Sequence, residues 1–349
     1  MRTAIIIVSY NGRQWLKVTL DSCAQFASSA VVYLVDNAST DGSADFVAEH
    51  FPGVKLQREL KNLGFAGGNN LGIQHALADG AEAVLLLNQD AELHAGTLPE
   101  LVEALEHNQK VGAVQPAIYL PSGKVNSFGN RFHYLGFGWA GGYQATLAEA
   151  EAQLPWVTSG TEPPYLSGAA LFLRATALQQ VGLLDEALFM YHEDLELCFR
   201  LRLAGWHLAL CSAARVTHHY EFHRSTQSYY FMERNRFVVW LSYFRAQTLA
   251  VIVPLWLITE LPLLIVAFLQ GWGAEKLRAY AYLGRPTTWV DIKQRRARLR
   301  SLRTLSDRTL LSYASSTIEF QEVDSFLTQN VFNPVSQALW LILFPLIRS

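Results

Sequence analysis

The chain has 349 residues, a net charge of −2 and an apolar content of 50%. This length can bury a sizeable core and can hold two domains, or one large domain with an appendix. The near-neutral charge excludes a general electrostatic attraction to nucleic acid, and three cysteines without paired metal-ligand spacing favour a reducing compartment.

Four apolar runs in the first third alternate with segments of helical spacing and predict a mainly parallel sheet. The runs are Ala4–Val8, Val31–Val35, Val54–Leu60 and Ala83–Leu87. Because the first run begins so early, we expect no cleavable signal peptide. Each run ends in polar residues, and open α/β sheets bind ligands beyond the carboxyl ends of their strands. We therefore predict a Rossmann-like, nucleotide-binding half over residues 1–110.

The polar turns after the first two runs are Ser9-Tyr10-Asn11-Gly12 and the segment that starts at Asp36-Asn37. The first turn is interpreted as facing a phosphate or a base. A third polar stretch, Asn62–Gly72, is rich in glycine and opens a helix. It fits neither G-x-G-x-x-G nor the Walker loop, which disfavours dinucleotide and P-loop sites. It either brings backbone N–H groups and side-chain amides to a nucleotide or is a plain left-handed turn before a helix.

Asp90 directly follows the buried run Leu85–Leu87. Two interpretations are open for this residue. An aspartate after a strand often starts a turn, or its carboxylate holds a hard divalent cation against a phosphate-bearing substrate.

Further strands and one acid-rich helix are predicted in residues 111–240, which we expect to form the acceptor-binding half of the same domain. The strands are Val111–Leu120, Tyr165–Arg174, His207–Cys211 and Arg215–His219. Phe128–Tyr143 is interpreted as a hairpin or flap, and Leu147–Pro164 as a loop. The small residues at 167–169 interrupt their strand, which would let a ligand come close.

Glu193, Asp194 and Glu196 fall in the first turn of the helix, which we expect to stop near Gly205. Acids at that position complement the helix dipole, or one of them faces the cleft as a general base. Of the histidines at 218, 219 and 223, we expect at most one to join a metal at Asp90. The charged segment Glu233–Arg236 is either a phosphate-facing set or an internal salt-bridge network.

Taken in order, these blocks resemble the family 2 glycosyltransferases with the GT-A fold, and most of all the rhamnosyltransferase-like branch that builds bacterial surface polysaccharides. The resemblance covers residues 4 to 240. The matching segments are 8–12, 35–43, 62–72, 88–90, 167–169, 193–194, 216–218 and 233–236.

The resemblance implies a site for a nucleoside-diphosphate sugar. The residues it implies there are Ser9, Tyr10, Asn11, Asp36, Asn37, Asn62, Gly67, Asn69, Asn88, Gln89, Ser167 and Gly168. Asp36 would lie near the base, and Asn62 and Asn69 along the nucleotide or ribose.

The resemblance also implies the chemistry of an inverting, metal-dependent transfer. Asp90 would be the metal-binding acid of a D-x-D-type element whose first acid is Asn88 here, with help from His218 and the donor diphosphate in holding Mg²⁺ or Mn²⁺. Asp194 would be the catalytic base, with Glu193 beside it in the acceptor site. The family's processive synthases carry a Q-x-x-R-W element, and the chain has no Arg-Trp pair. We therefore expect single additions.

The residues from 241 to 349 are predicted to form a helical, membrane-associated region. Ala246–Trp272 contains one charged residue, Glu260, and two prolines. It is interpreted as a bilayer span, a re-entrant or surface hairpin, or a buried helical pair. A second apolar run, Ala338–Ile347, is too short to span alone. A basic stretch lies between them, with Lys293, Arg295, Arg296, Arg298, Arg300 and Arg303.

In this setting the basic stretch favours contact with anionic lipid on the cytoplasmic face of the bacterial plasma membrane. A lipid-linked saccharide acceptor would explain the whole region.

Two other functions are compatible with parts of the pattern. A sugar-1-phosphate nucleotidyltransferase also starts Rossmann-like and uses a metal-binding aspartate, but usually carries a glycine-rich signature with a basic residue, which Ser9–Gly12 lacks. A non-catalytic, membrane-docked nucleotide-sugar-binding subunit would not need both Asp90 and Asp194.

Overall fold

The chain is described from a computed structural model, in which residues 1–219, 226–319 and 328–347 are described. It forms two compact units. The first unit consists of Met1–Asn130 and Ala140–Glu221, and the second of Arg131–Trp139 and Phe222–Ser349. The domain boundaries at 110 and 240 stay predictions.

One mixed sheet is the frame of the first unit. The described strands are β1 (Thr3–Ser9), β2 (Val31–Asp36), β3 (Lys55–Arg58), β4 (Ala83–Asn88), β5 (Ala91–Leu93), β6 (Val111–Tyr119), β7 (Val125–Ser127), β8 (Asn130–Phe132), β9 (Gly138–Ala140), β10 (Ala170–Arg174) and β11 (His207–His218). The sheet order is β3-β2-β1-β4-β10-β6-β11-β5, with β7 beside β6, while β8 and β9 pair as a separate hairpin. Strands β5, β7 and β10 run against their neighbours and the other sheet strands share one direction, so the mainly parallel sheet is confirmed.

Helices fill the connections between the strands. In the first unit they are α1 (Arg13–Phe26), α2 (Ser43–His50), α3 (Gly64–Ala78), α4 (Thr97–His107), α5 (Leu147–Gln153), α6 (Pro155–Thr158), α7 (Ala175–Val181) and α8 (Glu193–Leu203). In the second unit they are α9 (Thr226–Tyr243), α10 (Ala246–Leu269), α11 (Gly273–Leu283), α12 (Pro286–Leu302), α13 (Asp307–Leu311) and α14 (Asn333–Leu343).

The centre of the sheet brings the polar strand ends to one edge. Strands β1 and β4 are apolar without alternation and almost fully buried, as expected for strands covered on both faces. In the parallel register, Ser9 lies beside Asp36 and Val8 beside Asn88. The side chains predicted to meet the nucleotide therefore start from adjacent strand ends.

Part of the glycine-rich segment serves close packing of α3 on β1. A Cβ on Gly68 would lie 2.7 Å from a methyl carbon of Val8, and one on Gly72 would lie 2.4 Å from a methyl carbon of Ile6. Residues four apart share a helix face. Since neither distance is compatible with a side chain, these two glycines are required for the contact between helix and sheet.

Two element predictions were wrong. Leu147–Pro164 is not simply a loop, because α5 and α6 lie within it. The sequence signal for α5 was a capping box, in which Thr146 and Glu149 bond each other's backbone N–H groups. The two short strands predicted at 207–211 and 215–219 are one strand, β11, with a register shift between Cys211 and Arg215 that accounts for the apparent break.

The second unit is helical over its described residues, apart from part of the β8–β9 hairpin and a few short turns. Within the described ranges, α10 is the one helix long and apolar enough to cross a membrane, by length and composition only. The shorter apolar run at the C-terminal end corresponds to α14.

Candidate active site

Two buried polar atoms at the ends of β1 and β2 have no hydrogen-bond partner among the described residues, namely the Ser9 hydroxyl and Oδ1 of Asp36. Ser9 is completely buried and Asp36 is 4% exposed. Oδ2 of Asp36 accepts from the backbone N–H of Ser39 over 3.2 Å. An unpartnered buried polar atom costs free energy. These two atoms are therefore suited to a polar ligand placed against the strand ends.

The turn after β1 is held by two neighbouring side chains. Oε1 of Gln89 accepts from the backbone N–H of Tyr10 over 2.9 Å, and Oδ1 of Asn11 accepts from the N–H of Thr40 over 2.8 Å. Asn11 itself has a left-handed backbone, with φ of 50°. Tyr10 is half exposed, and its contact with a nucleotide stays a prediction.

Hydrogen bonds of the Asn37 and Asn62 side chains connect the end of β2 to the start of α3. The amide of Asn37 donates to Oδ1 of Asn62 over 3.1 Å and to the carbonyl of Gly64 over 2.9 Å. Its own oxygen accepts from the N–H of Leu63 over 3.0 Å. The described contacts of Asn37 therefore organise the loop that precedes α3.

Gly67 and Asn69 lie inside α3 rather than in a turn before it. A Cβ on Gly67 would lie 2.9 Å from Cβ of Leu63, and the amide of Asn69 donates to the carbonyl of Phe65. A role of either residue along the nucleotide stays a prediction.

Asp90 lies beside His218, which belongs to β11. Oδ1 of Asp90 is 3.2 Å from Nε2 of His218, and the amide nitrogen of Asn88 is also 3.2 Å from that Nε2. On the other side of the ring, Oδ1 of Asn126 lies 3.1 Å from Nδ1. In the tautomer that carries its proton on Nδ1, the ring would donate to Asn126 and its Nε2 lone pair would be available to a cation beside Asp90. This carboxylate and imidazole are chemically suited to Mg²⁺ or Mn²⁺.

A cation at this position would need oxygen ligands from elsewhere. Among the described residues, no group of three or more His, Cys, Asp or Glu side chains is placed to hold a metal ion. Mg²⁺ commonly binds through one or two protein ligands plus substrate phosphates and water. His223 belongs to 220–225 and lies outside the described residues, and His219 pairs with Glu92 at 3.3 Å.

Asp194 is the part-exposed residue of an otherwise buried helix, α8. Its Oδ2 accepts from the backbone N–H of Gly168 over 3.1 Å, and its Oδ1 from that of Leu195 over 2.7 Å. Burial raises the pKa of this carboxyl to about 6, although those backbone hydrogen bonds act in the opposite direction. A carboxylate that titrates near neutrality is suited to accept a proton from an alcohol during its attack.

Glu193 is more deeply buried than Asp194, at 6% exposure, and its Oε2 has no hydrogen-bond partner in the part of the chain that the structure describes. Burial, followed by the charge of Asp194, raises the pKa of Glu193 well above its usual range. Glu196 has a different role, because Arg200 one turn later donates to both of its carboxylate oxygens. The acids of this turn are therefore chemically distinct.

A chain of hydrogen bonds connects the side chain of Asp194 to the end of β4. The N–H of Asn88 donates to the carbonyl of Ala169 over 3.0 Å, and the preceding Gly168 holds Asp194. Oε1 of Gln115 accepts from the N–H of Ser167 over 2.7 Å. The predicted break at 167–169 thus brings the candidate base next to the strand that leads to Asp90.

The turn before α8 has an unusual backbone. Phe189, Tyr191 and His192 all have φ between 65° and 68°, a region that non-glycine residues rarely occupy. The carbonyl of Phe189 accepts from the N–H of Ala66 on α3. Strain of this kind concentrates at functional sites, and no sequence pattern announced it.

Sequence reasoning missed Asn126 and Gln115. Asn126 orients His218 from β7, and Gln115 holds Ser167 from β6. Single polar residues in short strands carry no local signal. Of the two interpretations of Glu233–Arg236, the internal network is the one the structure shows, because Arg236 donates to Glu233 over 2.6 Å within a buried cluster.

Comparisons with known proteins find relatives among the glycosyltransferases. A family model described as "Glycosyltransferase like family 2" matches residues 1–239. A Mycobacterium tuberculosis protein named N-acetylglucosaminyl-diphospho-decaprenol L-rhamnosyltransferase is 31% identical over 233 residues, which cover 62% of this chain and 75% of that protein. A Haloferax volcanii protein, low-salt glycan biosynthesis hexosyltransferase Agl10, is 25% identical over 74% of this chain and 84% of its own length.

A solved structure shows the fold. The crystal structure of GalNAc-T7 with UDP, GalNAc and Mn²⁺ matches with a TM-score of 0.57 and 17% identity, and the match covers 72% of this chain and 49% of that one. The predicted GT-A fold class is confirmed.

Proposed function

The chain belongs to the glycosyltransferase-like family 2, and from this premise we propose that it moves one sugar from a nucleoside-diphosphate donor to a lipid-linked saccharide, with inversion at the anomeric carbon. The observation that carries the proposal is a pair of hydrogen bonds, from the N–H of Asn88 to the carbonyl of Ala169 and from the N–H of Gly168 to the carboxylate of Asp194. They connect a carboxyl with a pKa of about 6 to the end of β4, two residues before Asp90.

The donor would lie along the edge formed by β1, β2 and β4. The hydroxyl of Ser9 offers both a donor and an acceptor to the base or ribose, and Oδ1 of Asp36 offers an acceptor. Asn37, Asn62 and Gln89 would act mainly by holding the surrounding loops.

The transfer is a single displacement. The acceptor hydroxyl attacks the anomeric carbon, the new glycosidic C–O bond forms as the bond to the donor diphosphate breaks, and the hydroxyl proton passes to Asp194. A general base of this kind contributes about 10²–10⁴-fold in rate. Glu193, adjacent to Asp194 and with its pKa raised by burial, would help position the acceptor. The lack of an Arg-Trp pair supports single rather than repeated addition.

Asp90 and His218 would hold the divalent cation, Mg²⁺ or Mn²⁺. When bound, the cation offsets charge that develops on the leaving diphosphate. Asn126 keeps the imidazole turned towards Asp90, and Asn88 supplies a neutral amide where related elements carry an acid. Metal affinity should therefore depend on the diphosphate oxygens of the donor.

The acceptor and the location are inferred from the relatives and from the second unit. The decaprenol-linked acceptor in the name of the Mycobacterium tuberculosis relative supports a polyprenyl-diphosphate-linked saccharide and a sugar that is rhamnose or a similar hexose. The apolar α10 supports work at a membrane, and the exposed basic residues of α12 favour the cytoplasmic face of the plasma membrane. The product would enter a surface polysaccharide or cell-wall glycan.

The experiment is a thermal-shift screen of the full chain against dTDP-, UDP- and GDP-sugars, with Mn²⁺ or with EDTA. A binding donor at 100 times its Kd should stabilise the fold by about 2.7 kcal/mol, and EDTA should remove most of that. The absence of a shift with every donor would contradict the proposal. Release of pyrophosphate from a nucleoside triphosphate and a sugar 1-phosphate would instead identify a nucleotidyltransferase.

A further inference from the structure

Helix α10 has two unlike faces. The exposed face carries large apolar side chains at helical spacing, namely Leu257, Ile258, Leu261, Ile265, Phe268 and Leu269. The opposite face contains the buried Ile252, Leu255, Trp256 and Ala267. A helix that crosses a bilayer alone would need no such division. One packed face and one exposed apolar face are typical of a helix that lies at a boundary between protein and lipid.

The packed face is fixed by a buried ion network. Glu260 lies 2.7 Å from Nη2 of Arg236 on α9 and 2.6 Å from Nζ of Lys276 on α11. Arg236 is 1% exposed and Lys276 is fully buried. Glu233 pairs with the same two cations, and the hydroxyl of Tyr280 donates to Glu260 over 2.6 Å.

This network makes a transmembrane position of α10 unfavourable. Burial would raise the pKa of Glu260, but Arg236 and Lys276 lower it to about 2, so the carboxylate is charged. If α10 left α9 and α11 to cross a bilayer, Glu260 would enter hydrocarbon as an ion, and two buried cations would lose a partner. Breaking one side of a buried ion pair is strongly destabilising.

Helix α12 adds an interfacial pattern to the same unit. Its exposed face starts with Trp289 and Val290 and continues with Lys293 and Arg300. Tryptophan and basic residues are enriched where proteins meet lipid headgroups.

Two arginines of the predicted basic stretch have internal roles instead. Arg296 donates to the carbonyls of Leu241 and Phe244, and Arg303 pairs with Asp307 at 2.7 Å. The charge available to a surface is therefore carried by the exposed residues of α12, among them Lys293 and Arg300, which complement an anionic leaflet.

We propose that α10 is a monotopic anchor, which lies in the headgroup and acyl boundary of one anionic leaflet with its Leu257–Leu269 face in lipid, and never crosses the bilayer. The cations of α12 contact the headgroups of the same leaflet. This proposal specifies the membrane association that forms part of the proposed function. It rests on that association and is independent of the transfer reaction.

The first test is flotation of the full chain with vesicles of phosphatidylcholine, with and without 30% phosphatidylglycerol. The triple variant Leu257→Gln, Ile258→Gln, Leu261→Gln should bind anionic vesicles at least about 10-fold more weakly, because three apolar side chains leave the lipid. Its melting temperature without lipid should be unchanged, since these side chains are outside the core. Leu60→Gln is the matched control, because Leu60 is fully exposed in the first unit, and it should bind like the parent.

The second test determines the sidedness of α10. Gln247→Cys and Ala274→Cys place thiols at exposed positions near its two ends, in a Cys211→Ser background whose remaining cysteines are buried. In inside-out bacterial membrane vesicles, an impermeant maleimide should label both thiols, and in right-side-out vesicles neither. Labelling from opposite sides would establish a span and overturn the proposal.

Two further outcomes would also overturn it. The parent chain could fail to bind either vesicle. Alternatively, the parent could be a dimer without lipid while the triple variant is a monomer with unchanged vesicle binding, which would assign the apolar face to a second copy. Donor binding in the thermal-shift screen is independent of these results. Failure of the anchor and failure of the proposed transfer are therefore distinguishable.

Discussion

The backbone N–H of Gly168 donates a hydrogen bond to the carboxylate of Asp194 over 3.1 Å. Gly168 immediately precedes Ala169, whose carbonyl is bonded to Asn88 at the end of β4. The position of the candidate base is therefore set by the sheet as well as by α8. A Cβ at position 168 would lie 3.5 Å from Cβ of Asp194 and 3.2 Å from the ring of Phe65.

The substitution Gly168→Ala should disturb that position. The ring of Phe65 must move by a few tenths of an ångström, and the added methyl group comes into van der Waals contact with Asp194. A change in the position of a catalytic group costs rate. We expect kcat to fall about 10-fold or more, with a small change in melting temperature, measured by donor turnover and by thermal denaturation. Gly53→Ala is the matched control, because a Cβ there has no neighbour within 4 Å. Equal kcat for the two variants would argue against a positioning role for Gly168.

The transfer rate should follow the ionisation of Asp194. Burial raises the pKa of this group to about 6, and only the unprotonated carboxylate accepts a proton. Below pH 6, kcat/KM should therefore fall about tenfold per pH unit, and above pH 7 it should be level with respect to this group. A profile that is flat between pH 5 and 7 would exclude Asp194 as the titrating base.

The same ionisation should affect stability in the opposite direction. The folded-state pKa of Asp194 lies above the value near 4 expected in the unfolded chain, so the folded state binds more protons and loses stability as the pH rises from about 4 past 6. Asp194→Asn should therefore raise the melting temperature more at pH 8 than at pH 4. An equal change at both pH values would mean that the carboxylate is not destabilised by its surroundings.

The Ser9 hydroxyl should contribute to donor binding and should not stabilise the fold. Its buried hydroxyl has no partner in the described structure, so Ser9→Ala should leave the melting temperature unchanged or higher while donor affinity falls several-fold. The matched control is Ser22→Ala, because the buried hydroxyl of Ser22 donates to Thr19 and accepts from Leu93. That variant should lose about 1 kcal/mol of stability and keep its donor affinity. Unchanged donor affinity in Ser9→Ala would place the donor elsewhere.

The metal dependence should depend on Asp90 and, through His218, on Asn126. In calorimetry, Asp90→Ala should remove most of the gain in donor affinity that Mn²⁺ provides. Asn126→Ala should lower it by about 10-fold, the smaller effect expected of a residue that orients a ligand. Donor affinity measured with EDTA should be the same in all three proteins. If Asp90→Ala retained the full effect of Mn²⁺, the cation would be bound by other groups.

Different parts of the site were accessible from sequence to different degrees. The ends of β1, β2 and β4 were predictable, because an uninterrupted apolar run followed by polar residues is typical of a parallel strand that is buried on both faces and ends at those polar residues. The placement of Asp194 against Gly168 was not predictable. This contact joins a loop residue to the first turn of a helix 26 positions later. Asn126 reaches His218 from 92 positions away, and no local pattern marks it.

The roles of the amide side chains in the polar turns were also not predictable from sequence. Asn37 and Gln89 resemble ligand-facing residues in sequence, but their described hydrogen bonds hold backbone groups of neighbouring turns. An amide with both donors and acceptors satisfies a loop as well as it satisfies a nucleotide. Residue type and position along the strand edge alone do not separate these two roles.

The central claim is tested most directly by Asp194→Asn in a transfer assay with the donor found by the thermal-shift screen and a polyprenyl-diphosphate-linked acceptor. Donor affinity with Mn²⁺ and nucleoside-diphosphate release are measured on the same preparation, with the exposed Asp21→Asn as the control. The account predicts unchanged donor affinity, a loss of transfer of about 10²–10⁴-fold, and an inverted anomeric configuration in the parent's product. Turnover of Asp194→Asn near that of the parent would contradict it.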